Sequence, residues 1–209
     1  MPDATATIPR EGGQPALEPT AQAGCRFSLY PMTDEFVSLI LDALKQAPAD
    51  GLEVVTDDVS TYLAGEPEEM LRFVANVVAA AAGRTQHVAC TLLLSRGCPG
   101  EGPCEPDRFG PGRSLEAAGG RIAPTGIRAA AHYSLYPLGV PDYMELIDSE
   151  IERARQAGVF ARGEHFASRL EGDLAEVLSA IGDGWAGATA THTVAHATIS
   201  VGSPSRPSA

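Results

Sequence analysis

The sequence has little positive charge and no long apolar run. Its 209 residues include 15 Lys and Arg against 27 Asp and Glu, a formal net charge of −12 at pH 7. Nucleic acids and anionic membranes reward clustered Lys and Arg, so neither is expected as a partner. No apolar run approaches the roughly 18 residues of a membrane span, and the first 24 residues lack the apolar core of a secretion signal. We therefore expect a cytoplasmic protein whose partner is a small neutral or cationic ligand.

Cysteine is also scarce, and its four copies divide into two pairs. Cys25 and Cys90 lie in apolar, strand-like runs, where a free thiol behaves as a small buried hydrophobe. Cys98 and Cys104 lie in a segment rich in Gly and Pro, and their spacing is not that of a zinc knuckle. A cytosolic chain would keep all four reduced. A metal at the second pair remains an alternative to a plain loop or a redox-labile pair.

The sequence contains an internal repeat of about seventy residues. Ser-Leu-Tyr-Pro occurs at Ser28–Pro31 and again at Ser134–Pro137, an offset of 106 residues. After one inserted residue the offset becomes 107, which places Gly51 on Gly158. The chain is therefore a duplicated domain, and halves this small should pack on each other or on a second chain.

Proline and glycine mark the boundaries of the two copies, because eleven of the sixteen prolines fall outside them. Residues 1–23 are predicted to be a disordered leader and residues 96–128 a Gly/Pro-rich linker. Residues 24–95 and 129–202 then form the two repeats, and residues 203–209 form a flexible tail.

Within each copy, apolar periodicity predicts the order strand, helix, strand, strand, helix, strand. Cys25–Tyr30 alternates strictly, Thr33 is expected to cap the first helix, and Pro67 to open the second. The first helix is predicted to turn one apolar stripe towards the core: Phe36, Val37, Ile40, Leu41 and Leu44. The element order predicts an α+β fold of tandem ferredoxin-like repeats, each an antiparallel four-stranded sheet in the order 4-1-3-2 with both helices on one face.

Further signals place the remaining elements. Val59–Ala64 is predicted to be the third strand, joined tightly to the second at Asp57-Asp58, and His87–Leu94 the fourth. In the second copy Pro141 is expected to open the first helix, and Asp173 with Glu176 forms a capping-box pattern for the second.

The period of two also predicts which side chains lie on the sheet face that the helices leave open. These are Arg26, Ser28, Tyr30, Asp58, Ser60, Tyr62, His87, Ala89 and Thr91 in the first copy, and His132, Ser134, Tyr136, His165, Ala167, Arg169, His196 and Thr198 in the second. Such a polar, aromatic surface can bind a flat heterocycle if another sheet closes over it. An interface between repeats or between two copies of the chain is an equally open interpretation.

Five motifs carry a family resemblance: Cys25–Met32, Val55–Thr61, Gly97–Gly100, His132–Gly139 and His165–Asp173. With these motifs in this order, over roughly residues 25–100 and 130–202, the sequence resembles the YkoF family of thiamin/hydroxymethylpyrimidine-binding proteins. The resemblance implies a ferredoxin-like tandem that binds thiamin or its pyrimidine moiety, forms a homodimer and serves thiamin-precursor uptake or salvage. It implies neither catalysis nor a cofactor.

The residues agree with that ligand. Ser28, Ser60 and Asp58 offer hydroxyls and an anion to an aminopyrimidine, and Tyr30 and Tyr62 could stack on its ring. A thiazolium cation would be favoured by Asp57 or Asp58, although turn chemistry also explains both residues. The second copy offers a different set, namely His132, Ser134, Tyr136 and His165. The first copy is expected to suit a cation better.

A competing hypothesis comes from the histidines of the second copy. His132, His165 and His196 lie on strands one, three and four, which are neighbours in a 4-1-3-2 sheet. Three imidazoles on adjacent strands could hold zinc with an open position for a hydrolytic water. A regulatory module that senses a metabolite is a further alternative.

Overall fold

The computed structural model describes residues 23–97, 122–188, 190 and 192–205. The predicted leader up to residue 22, most of the predicted linker and residues 206–209 lie outside the described residues. So do Cys98 and Cys104.

Each half contains the predicted order of strands and helices. In the first half these are β1 (Ala23–Pro31), α1 (Phe36–Gln46), β2 (Glu53–Thr56), β3 (Thr61–Ala64), α2 (Pro67–Ala82) and β4 (Val88–Arg96). In the second half they are β5 (Arg128–Leu138), α3 (Tyr143–Gln156), β6 (Phe160–Glu164), β7 (Ala167–Asp173), α4 (Leu174–Gly187) and β8 (His192–Val201). The tandem ferredoxin-like α+β fold is thus confirmed.

The two four-stranded sheets join into one antiparallel sheet of eight strands, in the order β2-β3-β1-β4-β8-β5-β7-β6. Each half keeps the predicted 4-1-3-2 order, and β4 pairs with β8 over nine residues, from Val88 opposite Val201 to Arg96 opposite Thr193. Inward side chains such as Phe27, Cys90 and Ile199 are buried. The halves therefore share one sheet and one core, which removes the small-domain problem that the sequence raised.

Arg96 ties the first half to the second. Its side chain is buried and points to the helix side of β4, where Nε donates to the Trp185 carbonyl at 3.0 Å and Nη2 donates to the Ala188 carbonyl. These are carbonyls at the C-terminal end of α4, where a helix leaves acceptors unpaired and its dipole favours a cation.

Several local signals behave as predicted. Pro67 is in the first turn of α2, and the predicted core face of that helix is buried throughout: Met70, Leu71, Val74, Val77 and Val78. The Asp173 carboxylate accepts from the Ala175 amide at 2.8 Å, and the Glu176 carboxylate accepts from the Asp173 amide at 3.2 Å. The predicted capping box of α4 is therefore confirmed.

The predicted apolar face of α1 is confirmed at Leu44, which is buried, and at Ile40, which packs against the core, but it is wrong at the other three positions. The helix begins at Phe36 rather than after Thr33, and its buried side chains are Leu39, Ala43 and Leu44. Phe36, Val37 and Leu41 are exposed. The small Ala43, which a search for large apolar residues passes over, is one of the buried residues.

The third strand of each half starts later than predicted. The Asp57 carboxylate accepts from the amides of Val59 and Ser60, both at 2.8 Å, and so closes a turn. Val59 was expected to point inward, but it lies in this turn and is 75% exposed. The same shift leaves Asp58 and, in the other half, His165 in turns, where strand alternation does not apply. Pro141 also precedes its helix, because α3 begins at Tyr143.

No helix among the described ranges combines the length and the apolar character that a membrane crossing requires.

Candidate ligand-binding site

Arg26 dominates the open face of the first half. Its Nη1 donates to Ser60 Oγ at 2.8 Å and to Asp57 Oδ2 at 3.2 Å, and its guanidinium lies 5.6 Å from the centre of the Tyr62 ring. Hydrogen bonds from the Ser60 and Val59 amides, followed by Arg26, lower the pKa of Asp57. The expectation that the first copy better suits a ligand cation finds no support here, because Arg26 already occupies the aromatic face and pairs with the carboxylate.

Ser28 and Ser134 make equivalent hydrogen bonds in the two halves. Ser28 Oγ donates to the Val59 carbonyl and Ser134 Oγ donates to the Phe166 carbonyl, both at 2.9 Å. Each hydroxyl therefore holds the turn before the third strand against the first strand. Phe166 has a positive φ of 65° and is 99% exposed, so this turn carries an aromatic ring entirely in solvent.

The three histidines of the zinc hypothesis do not converge. His132 is opposite Thr198 and Arg169, whereas His196 is opposite Ser134 and Leu93. His165 lies in the turn between β6 and β7. Within the described part of the chain no three His, Cys, Asp or Glu side chains are arranged to hold a metal ion.

Exposed apolar side chains recur at the same five positions of both halves. They account for ten of the thirteen exposed large hydrophobic residues described. The first rim comprises Tyr30, Met32, Phe36, Val37 and Val59, and the second rim comprises Tyr136, Leu138, Tyr143, Met144 and Phe166. In each half these positions are the end of the first strand, the first turn of the first helix and the turn before the third strand, which meet at one end of the sheet. Exposed apolar clusters of this kind mark binding surfaces.

The second rim surrounds a cavity of about 780 Å³. All five rim residues line it, together with Ser134 and Glu164. Glu164 accepts from Arg162 at 2.7 Å. Apolar and aromatic walls with a few fixed polar groups are the usual composition of a small-molecule site.

Tyr133 and Glu150 line the same cavity from inside the protein. They are only 7% and 6% exposed, and neither Tyr133 Oη nor Glu150 Oε2 has a hydrogen-bond partner among the described residues. Burial raises the pKa of Glu150 to about 7; Arg153, whose Nη1 lies 3.0 Å from Oε2, lowers it, and Asp183 raises it. The short distance to Arg153 is therefore an ion-pair contact without hydrogen-bond alignment.

Of the predicted site residues, the structure gathers Ser134 and Tyr136 at the second rim, and Tyr30 and Ser28 at the first. Ser60 and Tyr62 contact Arg26. Asp58, His132 and His165 are exposed and belong neither to a rim nor to the wall of the cavity. Sequence reasoning missed Tyr133, Glu150 and Phe166. Alignment of the two copies could have found them, because these three residues align with Phe27, Ala43 and Val59 and so differ in chemical character or size from their counterparts.

A comparison with protein families matches the YKOF-related family over residues 22–101 and 128–206, so that each matched segment contains one rim. The chain belongs to this family. It is also 37% identical over 164 residues to a Bacillus subtilis (strain 168) protein named "Putative HMP/thiamine-binding protein YkoF", with 76% of this chain and 78% of the relative covered. The alignment therefore spans most of both members of the YkoF-related family.

Proposed function

We propose that the protein binds thiamin or its hydroxymethylpyrimidine moiety without transforming it, and that it serves thiamin-precursor uptake or salvage in the cytoplasm. The observation that carries this proposal is the cavity of about 780 Å³ inside the second rim. The name of the Bacillus subtilis relative supports the same ligand class.

The chemistry of the second rim suits a flat, partly cationic ligand. Tyr136, Tyr143 and Phe166 offer aromatic faces on which a pyrimidine or a thiazolium can stack. Glu164, one of whose oxygens already pairs with Arg162, adds a carboxylate to the wall, and the net charge of −12 favours a cation over an anion. We propose the first rim, with Tyr30 and Ser28, as a second and weaker site.

We propose binding rather than catalysis because the hydroxyl at the second rim is already engaged. A serine nucleophile needs a general base beside it, but Ser134 donates its hydroxyl proton to the backbone carbonyl of Phe166. Ser134 therefore fixes the turn that carries Phe166 and is not activated as a nucleophile.

We also propose that the chain forms a homodimer. The face of the eight-stranded sheet opposite the helices has no covering layer among the described residues, and Leu93 is exposed at its centre. A second copy stacked on this face would bury it. Light scattering after size exclusion should give twice the mass of the chain, and a monomer at micromolar concentration would contradict this part of the proposal.

The test of function is calorimetric titration of EDTA-treated protein with thiamin and, separately, with hydroxymethylpyrimidine. We expect micromolar or tighter binding of both, because both carry the pyrimidine ring. Absence of heat with both compounds would contradict the proposed function.

Two variants locate the site. Tyr136→Ala removes an aromatic wall of the second rim, whereas Leu93→Ala removes an equally exposed apolar side chain from the centre of the open face. We expect the first to weaken binding about tenfold or more, since stacked aromatic contacts contribute about 0.5–1.5 kcal/mol beyond their buried area, and the second to change nothing. Loss of binding in Leu93→Ala alone would return the site to the open face.

A further inference from the structure

Building on the proposed function, we propose that Tyr133 and Glu150 form a recognition pair at the inner end of the second-rim cavity. The pair reads the amino edge of an aminopyrimidine, which is an exocyclic amine next to a ring nitrogen. The second half would then carry a pyrimidine-specific site that the first half lacks.

Two buried polar side chains that lack hydrogen bonds line the second-rim cavity. Tyr133 on β5 and Glu150 on α3 are both more than nine-tenths buried, and both line the cavity that opens at the rim. Neither Tyr133 Oη nor Glu150 Oε2 has a hydrogen-bond partner among the described residues, although Oε2 lies 3.0 Å from Arg153 Nη1, with which Glu150 also lines a second cavity. A buried polar atom without a hydrogen bond is unfavourable. Within the described part of the chain the Tyr133 hydroxyl has no hydrogen-bond partner and Glu150 Oε2 has only its ion-pair contact with Arg153, so this wall of the cavity points to a ligand or to ordered water that completes both groups.

Two glycines of α4 leave the space that this pair occupies. A side chain at Gly184 would overlap the Tyr133 hydroxyl and would lie 3.7 Å from Glu150 Cβ. A side chain at Gly187 would overlap the Arg153 guanidinium. The corresponding residues of α2, by the offset of 107, are Val77 and Ala80. In the second half, polar side chains therefore occupy the space beside α4 that the side chains of Val77 and Ala80 fill in the first half.

The carboxyl group of Glu150 is chemically complementary to the amino edge of an aminopyrimidine. A carboxyl group presents one acceptor oxygen and one oxygen that can share a proton, side by side. The amino edge of the pyrimidine presents an N–H donor beside a ring nitrogen that can share the same proton. One proton therefore lies between Glu150 and the ring nitrogen, whether it came from the carboxylic acid or from a protonated ring, and the amine donates to the other oxygen. The Tyr133 hydroxyl can accept from the second amine hydrogen.

The environment of Glu150 suits such a shared proton. Arg153 on its own helix, Asp183 on α4 and Tyr133 on β5 are the titratable groups that act on Glu150, and Glu164 lines the same cavity. Burial holds the pKa of Glu150 near 7, so the carboxyl group can donate or accept at neutral pH.

The first half offers a built-in reference for this inference. The residues at the positions of Tyr133 and Glu150 are Phe27 and Ala43, by the offsets of 106 and 107. Both are buried in the apolar core. The double variant Tyr133→Phe/Glu150→Ala therefore installs a pair that this fold already accommodates, and Glu152→Ala serves as a control that removes an exposed carboxylate of the same helix.

The experiment is calorimetric titration of the full chain with hydroxymethylpyrimidine and with its analogue in which hydrogen replaces the amine. We expect the double variant to bind hydroxymethylpyrimidine about tenfold more weakly or worse, because hydrogen bonds to a charged or proton-sharing group are lost. Glu152→Ala should bind as the wild type does. The analogue should bind the wild type and the double variant equally weakly, since neither pairing can then form.

The outcomes separate the two proposals. The recognition pair is overturned if the double variant binds hydroxymethylpyrimidine as tightly as the wild type does and still prefers it to the analogue without the amine. The proposed function then stands. No binding of either pyrimidine or of thiamin by the wild type overturns both. Circular dichroism of the double variant checks its fold, and Glu150→Gln, which keeps one donor and one acceptor, should retain most of the affinity that the double variant loses.

Discussion

The two halves share a fold but differ in how their cores are filled. In the first half Phe27 and Phe73 pack edge to face, with ring centres 6.2 Å apart and planes at 65°. The corresponding residues of the second half are Tyr133 and Ala180. A large ring is therefore replaced by a methyl group on one side, and the ring on the other side gains a hydroxyl that has no described partner.

The first helices of the two halves show the same contrast. Leu39, Ala43 and Leu44 bury the face of α1, whereas Glu150 and Ala154 are the buried residues of α3. Burying a carboxyl group costs free energy that burying a methyl group does not. Since both halves share one sheet, stability supplied by the well-packed half can offset this cost, and the duplicated fold leaves the second half free to hold a cavity.

The largest effect should come from giving the first half the small residue of the second. Phe73→Ala removes a buried ring against Phe27 and should lower the free energy of unfolding by about 3–5 kcal/mol. Phe36→Ala, an exposed ring of the first rim, is the matched control and should cost less than about 1 kcal/mol. Urea unfolding measures both. Equal costs for the two variants would mean that the first half does not supply the stability we assign to it.

A smaller effect should follow from the buried carboxyl group. The pKa of Glu150 is about 7 in the folded protein against an ordinary value of 4.5, so the folded state holds its proton more tightly than the unfolded chain. The contribution of protonated Glu150 to the free energy of unfolding is fully present below pH 4.5 and is lost as pH rises through about 7. The loss is on the order of 3 kcal/mol.

Glu150→Gln isolates this titration. As pH rises from about 5 to about 8, through the folded pKa of Glu150, the urea midpoint of the wild type should fall relative to that of the variant. Groups that the wild type and the variant share cancel in the difference. Glu152→Gln, which changes an exposed carboxylate, should show no such trend. A constant difference between wild type and Glu150→Gln would place the Glu150 carboxyl in contact with solvent.

Much of the fold could be predicted because its signals are local. Alternation in the strands, the apolar face of α2 and the capping box at Asp173 each depend on residues a few positions apart, and all three agree with the structure. The single eight-stranded sheet could not be predicted in this way. The pairing of β4 with β8 joins residues about a hundred positions apart, and an edge strand that pairs has the same alternation as one that does not.

The rims and the inner pair escaped prediction for a related reason. An apolar residue on a helix is ordinarily assigned to the core, so Phe36 and Val37 were placed there although both are exposed. A carboxylate between polar neighbours is ordinarily assigned to the solvent face, which hid Glu150. At Asp57 the turn chemistry was foreseen, but its hydrogen bonds end the strand early and so remove Val59 from the alternation.

The smallest effect concerns the two turns that carry Val59 and Phe166. Phe166 has φ 65°, where a side chain is unfavourable by roughly 1–2 kcal/mol, whereas Val59 is not among the described residues with positive φ. Phe166→Gly should therefore raise the free energy of unfolding by about 1 kcal/mol, while Val59→Gly should lower it slightly. If the exposed ring serves the second rim, Phe166→Gly should also weaken binding of hydroxymethylpyrimidine, since it removes a cavity wall. A gain in stability with a loss of affinity would mean that backbone strain is retained in the second half for the sake of its ligand. A gain in stability with unchanged affinity would remove Phe166 from the site and leave the two turns functionally alike.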